Sequence, residues 1–275
     1  MTTSSSYQKH TIKIGPDEIA IHRFTKDYGD IPILLLHGSI ENGRIFYTKD
    51  GKGLGPFLCD QGFDVFIPDM RGKGESTPPV SRELRHSQTD MILEDIPAYL
   101  NKIEELRPFN AIHLGAHSWG GVLLLAYMAR FNDKRVKSMV FFGSKRKIYV
   151  KSFKKWWMVN VGWDFLGQWA TKRKGYFPAA DWNYGSENEP ALFYQQVHNW
   201  VETDSWISEH DGFDYQKELP KITLPPILYL AGVKDKILGN PICVERLMKE
   251  TGSEQDNEMM LMGKAYGNKV DYIKF

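Results

Sequence analysis

The sequence predicts an α/β fold, a mostly parallel sheet with helices on both faces. Three observations point to it. After an opening pair of alternating segments, short apolar runs of strand length alternate with longer stretches of helical spacing. His37-Gly38, Asp69, Ser118 and Asp235 all fall at the carboxyl ends of those runs, where open parallel sheets gather their chemistry. One stretch, 111–130 (AIHLGAHSWGGVLLLAYMAR), reads as strand, sharp turn and apolar helix with Ser118 at the apex.

Composition narrows the class. A chain of 275 residues can bury one large core, and α/β folds of this length are often single domains. Lys+Arg of 35 against Asp+Glu of 34 gives no bulk attraction to nucleic acid or to an anionic membrane. Cys59 and Cys243 offer no disulfide framework and read as small hydrophobes buried in helices. The first ten residues lack the apolar core of a signal peptide, and no apolar run approaches the length of a membrane span. The expected setting is soluble, reducing and cytoplasmic.

The elements follow in order. Residues 1–7 read as a loose tail. Residues 11–14 and 18–24 alternate around Gly15-Pro16-Asp17, which predicts a hairpin. The continuous apolar run 31–36 predicts a strand buried on both faces, ending in His37-Gly38-Ser39. Helix signals run through 44–60, interrupted by Gly51, Gly53 and Gly55. A strand at 63–67 leads into 68–76 (PDMRGKGES), too rich in glycine for regular structure. Residues 88–106 have helical spacing with a bend expected at Pro97. Strands follow at 111–116, 136–142, 227–231 and 258–262, with helices at 121–130 and 241–249; the last has Pro241 in its first turn.

The turn at Ser118 carries the chemistry. A strand that reverses sharply into a helix strains the backbone at its apex and lifts the serine hydroxyl above the sheet. Strand and helix pass close there, so small residues are needed two before and two after. Ala116 and Gly120 fill those places, and Gly121 adds room.

With these motifs in this order, the sequence resembles the α/β-hydrolase family over nearly its whole length. The motifs are His37-Gly38, the Asp69–Ser76 segment, the Ser118 turn, and Gly232-Val233-Lys234-Asp235. The resemblance implies an α/β-hydrolase fold with Ser118 as nucleophile and Asp235 as the acid that orients a histidine. Past the 136–142 strand, Gly143, Ser144 and Lys145 offer no rival acid. The implied oxyanion hole is the backbone N–H of Ser39 with that of Trp119; losing one such donor costs roughly 10²–10³ in rate. Asp69 and Arg71 are expected to hold their loop, His37 to pack under the oxyanion loop, and His117 to point away from the nucleophile. The implied activity is hydrolysis of a small carboxylic ester, thioester or lipid ester through an acyl-enzyme on Ser118, with no metal or cofactor. Peptidase or amidase chemistry would use the same site. Dehalogenase and epoxide hydrolase chemistry is disfavoured, because the relatives that perform it use Asp as nucleophile.

The sequence departs from the family at its end. The family's base is a histidine after the last strand, followed by a further helix. Here 261–275 reads LMGKAYGNKVDYIKF, and no histidine follows His210. Truncation and natural loss both fit, and the intact nucleophile, acid and oxyanion segments favour truncation. Serine without a base is a weak nucleophile, and removing the base costs up to about 10⁶ in turnover. His198 and His210 are the candidate substitutes. The alternative is a non-catalytic binding protein that keeps the pocket.

Residues 145–220 interrupt the strand–helix rhythm. The resemblance implies that they are a cap insertion over the active site, leaving a core of 1–144 with 221–275. The insertion holds Trp156, Trp157, Trp163, Trp169, Trp182, Trp200 and Trp206, seven of the eight tryptophans. Residues 145–175 carry nine basic side chains against Asp164 alone, and 176–220 carry nine acidic ones against Lys217 alone. Two readings stay open. The halves pair their charges and bury their aromatics on the core, or they wall an acyl pocket whose basic half steers an anionic or lipid-surface substrate.

Overall fold

A computed structural model describes residues 6–26, 31–252 and 257–269. Residues 1–5 of the expected tail and 270–275 of the terminal segment lie outside the described residues.

Eight strands form one sheet. In chain order they are β1 (Ser6–Ile14), β2 (Asp17–Thr25), β3 (Ile31–Leu36), β4 (Phe63–Pro68), β5 (Ile112–His117) and β6 (Val136–Phe142). After a two-residue ribbon of β7 (Tyr176–Phe177) and β8 (Glu189–Pro190) come β9 (Ile227–Gly232) and β10 (Asn257–Met262). The spatial order is β1-β2-β4-β3-β5-β6-β9-β10. β1–β2 and β2–β4 are antiparallel and every other pair in the sheet is parallel.

The helices are α1 (Leu54–Asp60), α2 (Gln88–Asp90), α3 (Ile96–Leu106) and α4 (Trp119–Phe131), then α5 (Phe153–Lys155), α6 (Gly167–Lys174), α7 (Ala191–Glu202), α8 (Tyr215–Glu218) and α9 (Pro241–Glu250). The strand alternation assigns them to two faces. Leu34, Leu36 and Phe66 join a core with α3 and α4, whereas Ile33, Leu35, Val65 and Ile67 join a second core with Cys59 of α1. Helix α4 is buried from Trp119 to Ala129, which explains its nearly unbroken apolar sequence. Among the described residues no helix is long and apolar enough to cross a membrane.

Three expectations change in detail. The tail is shorter, because β1 already begins at Ser6 and Tyr7 Oη bonds His22 Nδ1 at 2.8 Å. The 44–60 helix is reduced to a 3₁₀ turn at Gly43–Ile45 and to α1, since Gly51 and Gly53 sit at φ 71° and 120°. The irregularity in 88–106 lies just before Pro97: a π-helical turn, Met91–Asp95, joins α2 to α3, and Pro97 sits in the first turn of α3, where its missing N–H is harmless.

Candidate active site

Ser118 sits between β5 and α4 at φ 49°, ψ −118°, a conformation that side-chain-bearing residues rarely adopt. Its N–H donates to the Phe142 carbonyl at 2.9 Å, tying the turn to the end of β6. The close approach foreseen at Gly120 is real. A methyl group there would stand 2.6 Å from the Leu36 carbonyl oxygen and 2.7 Å from that of His37. Any larger residue at 120 would push the Ser118 turn off the loop after β3.

A cavity of about 550 Å³ opens over Ser118. The sheet side supplies Ser39, Glu41, His117, Ser118, Trp119 and Asp235; the 145–220 segment supplies Lys145, Val159, Trp163, Tyr184 and Val197 among others. Residues far apart in sequence therefore meet at the carboxyl ends of β3, β5, β6 and β9, as expected for a parallel sheet.

The loop after β3 is held from below and above. His37 is fully buried; its Nδ1 donates to the Gly38 carbonyl and its Nε2 accepts the Met70 N–H at 3.0 Å. Burial, aided by the charge of Lys73, pushes its pKa down to about 4, so the ring is neutral and structural. Asp69 accepts the Gly43 N–H at 2.7 Å and the Glu75 N–H at 2.8 Å, and pairs with His22 at 2.9 Å. Arg71 pairs with Asp95, Glu94 and Asp17. From above, Glu189 accepts the Ser39 hydroxyl at 2.5 Å and the Ile40 N–H at 2.8 Å, while its other oxygen lies 2.7 Å from Lys73 Nζ. Both members of that ion pair are buried.

Two residues that sequence reasoning passed over stand nearest the chemistry. Lys145 Nζ lies 2.9 Å from Ser118 Oγ. Its burial lowers the ammonium pKa against the opposing pull of Asp235 and Glu41, and the net shift is downward. Glu41 accepts the Gly38 N–H at 3.1 Å and binds His117 Nδ1 through both oxygens, at 2.8 and 2.9 Å. Burial pushes the Glu41 carboxyl up, but the His117 contact and the charge of Lys145 outweigh it, leaving its pKa below the usual range. The signal for Lys145 was present in the sequence: the positions just after β6 carry no acid, but they do carry a basic side chain.

Asp235 lines the same cavity, and its Oδ1 accepts the Ile237 N–H at 3.0 Å. Contrary to the expectation that it points away, His117 also lines the cavity, held there by Glu41. The other candidate histidines are elsewhere: His198 contacts Asp164 and Gln168 within the 145–220 segment, and His210 is exposed.

Comparison with known proteins agrees with this architecture. A sequence profile of the alpha/beta hydrolase fold matches residues 31–253. The chain is 27% identical to the probable lysophospholipase L2 of Haemophilus influenzae over 222 residues, covering 72% of this chain and 67% of that protein. It is 32% identical to lipase 1 of Psychrobacter immobilis over 108 residues, 39% of this chain and only 30% of the lipase's length. An esterase from Thermogutta terrifontis superimposes with a TM-score of 0.59 at 19% identity, covering 94% of this chain and 89% of the esterase. With the profile spanning most of the sequence, the chain belongs to the alpha/beta hydrolase fold family.

Proposed function

We propose that the protein cleaves a carboxylic ester through an acyl-enzyme on Ser118, with residues 145–220 acting as a cap over a core of 1–144 and 221–275. The observation that carries this reading is the strained Ser118 turn at the floor of a largely apolar cavity. The hydroxyl attacks the ester carbonyl, the alcohol leaves, and water releases the acid from Ser118. Negative charge that develops on the carbonyl oxygen is met by the N–H groups of Ser39 and Trp119. Trp119 opens α4, so its N–H belongs to the orphan donors of a helix start. On either side of Ser39, the Gly38 and Ile40 N–H groups are already engaged by Glu41 and Glu189. Asp235 supplies negative charge beside the site.

The substrate in this reading carries an acyl chain. Val159, Trp163, Val197, Val201 and Leu238 wall the cavity. A lipase and a lysophospholipase among the relatives agree with a lipid-like ester. Exposed rings at Phe153, Trp156, Trp157, Phe165 and Trp169 stand beside exposed Lys151, Lys154, Lys172 and Arg173, a composition suited to an anionic lipid surface that presents such an ester.

Intact-mass measurement after exposure to a fluorophosphonate tests the nucleophile. One adduct is expected, absent in Ser118→Ala, together with turnover of p-nitrophenyl esters that improves with acyl length. A folded protein that takes no adduct refutes the reading.

A further inference from the structure

We propose that Glu189, reaching down from the 145–220 segment, is the positioning residue that aims the Ser39 N–H at the substrate's carbonyl oxygen. The proposal rests on the Ser118 acyl-enzyme reading and goes beyond it by naming what fixes the oxyanion donor in place.

The loop after β3 needs holding. Backbone donors stabilise developing charge only where they are set before the reaction begins. Ile40 stands at φ 54°, a conformation that β-branched residues rarely adopt. It lies in a turn beyond the end of β3, so sheet pairing does not impose that conformation. A strained turn persists only where its surroundings over-determine it.

Those surroundings are residues 185–189. The Ile40 carbonyl accepts the Ser186 N–H at 3.0 Å and the Glu187 N–H at 3.1 Å. The Ile40 N–H donates to Glu189 Oε2 at 2.8 Å, and the Ser39 hydroxyl donates to the same oxygen at 2.5 Å. Gly185 lets the two backbones close, since a methyl group there would stand 2.5 Å from the Ile40 carbonyl oxygen. Both polar groups of the Ile40 backbone are therefore held by one short segment. On the other side of Ser39, Glu41 takes the Gly38 N–H at 3.1 Å. Of the three consecutive N–H groups at 38–40, the two carboxylates take the first and the third. The second, that of Ser39, is the one neither takes, and Ser39 lines the cavity.

Glu189 is itself anchored. It is fully buried, and its Oε1 lies 2.7 Å from Nζ of Lys73, which is 1% exposed. A carboxylate so enclosed needs a partner of opposite charge to stay ionised. Lys73 belongs to the loop after β4. Glu187 joins that loop separately, accepting the Gly74 N–H at 3.0 Å as well as the Asn42 side-chain amide. At the other end of the segment, Tyr184 lines the cavity beside Trp163 and donates its hydroxyl to the Met158 carbonyl. One stretch of chain thus carries the cavity wall at one end and the oxyanion loop at the other.

Removing Glu189 alone strands Lys73, so the test uses paired replacements that take away both charges. Glu189→Gln with Lys73→Met keeps an amide oxygen for the Ser39 and Ile40 donors. Glu189→Leu with Lys73→Met keeps none. In Glu189→Gln alone, the Lys73 ammonium competes with the loop for that oxygen. Fluorophosphonate adduct formation is followed by intact mass over a range of reagent concentrations, which separates the limiting rate from the half-saturating concentration. The phosphonyl oxygen takes the place of the ester carbonyl oxygen. Each protein is checked by circular dichroism and melting, and rates are taken well below the lowest melting temperature.

The Leu–Met protein should have a limiting rate lower by roughly 10²-fold, with a half-saturating concentration within about threefold of wild type. The Gln–Met protein should recover most of that rate. A merely structural ion pair predicts that the two proteins react alike once folded, and that result overturns the proposal. So does a Leu–Met protein whose defect lies in the half-saturating concentration while its limiting rate holds. Should the paired proteins not fold, Ser39→Ala decides. It removes one of the two donors that Glu189 holds, leaves the ion pair intact, and should lower the limiting rate by roughly three- to tenfold; an unchanged rate overturns the proposal. Wild type that takes no adduct at Ser118 removes the acyl-enzyme reading and this one with it. A reactive wild type beside paired variants that react alike removes this one alone.

Discussion

The two halves of the 145–220 segment are equally rich in aromatic residues and place most of them in opposite environments. Residues 176–220 send Phe193, Trp200, Trp206 and Tyr215 into the main core, with Phe177 and Tyr194 in a small core of their own. Residues 145–175 leave Phe153 80% exposed, Phe165 71% and Trp157 61%. Charge follows the same division. Acids of the second half reach the sheet side: Asp211 forms a two-pronged contact with Arg130, Glu189 takes Lys73 and the Ser39 loop, and Glu187 takes Asn42. The first half is joined to the second through ion pairs of Lys147 with Asp204, Lys174 with Asp181 and Asp164 with His198, through Arg146 on the Trp200 and Thr203 carbonyls, and through Trp163, which packs on Phe177, Tyr184 and Tyr194. The second half is thus part of what folds the protein, and the exposed rings of the first half, Phe153, Trp156, Trp157, Phe165 and Trp169, form a surface that folding alone does not explain. Apolar rings left in water cost free energy that another contact must offset if the arrangement is to be useful.

The largest effects should come from the second half. Trp206 is fully buried against Trp200 and Tyr215. Trp206→Ala should lower unfolding free energy by about 3–5 kcal/mol, read from denaturant midpoints. Glu189→Gln should cost about as much, roughly 3–5 kcal/mol, because Lys73 is left buried without its counter-charge. This variant should also lower kcat, since Glu189 holds Ser39 and Ile40 in place. A Glu189→Gln protein with wild-type stability and turnover would break the claim that the second half anchors the site.

The first half should matter elsewhere. Vesicles containing phosphatidylserine should retain the protein, and vesicles of phosphatidylcholine alone should do so less. Replacing Lys154, Lys172 and Arg173 together by Gln should weaken retention on the anionic vesicles by roughly 10²-fold, with salt weakening it further. Equal retention by both lipids would leave the basic residues without this role.

This contrast also marks how far the sequence could be read. The sheet was legible because its signals are local: the apolar run at 31–36 matches β3, and the turn at Ser118 combines strand, small residues and helix within one short stretch. The site's outline followed from where strands end. What escaped depended on contacts across the fold. Lys145 at the end of β6 carries no periodic signal, and its meaning comes from the 2.9 Å to Ser118. Glu41 and Glu189 looked like ordinary loop charges until the fold brought them to the loop after β3. The tryptophans of 145–220 were visible as a group, but composition does not say which rings find a core. Burial of Trp200 and Trp206 depends on α8 and α4 being beside them, while the rings of 156–157 meet no such neighbours.

The smallest effect on folding, and the sharpest test of the contrast, is expected from the exposed rings themselves. Phe153→Ser and Trp157→Ser each remove a large apolar group that water already reaches, so each should change stability by no more than about 0.5 kcal/mol. The same substitutions should reduce vesicle retention, since an aromatic ring gains most from the headgroup boundary. Thermal melts and vesicle sedimentation on one set of proteins separate the two. Unchanged melts with weaker retention mean that the rings serve a surface outside the molecule. A loss of stability comparable to that of Trp206→Ala would mean that they are held by packing, and the two halves would then differ in degree only.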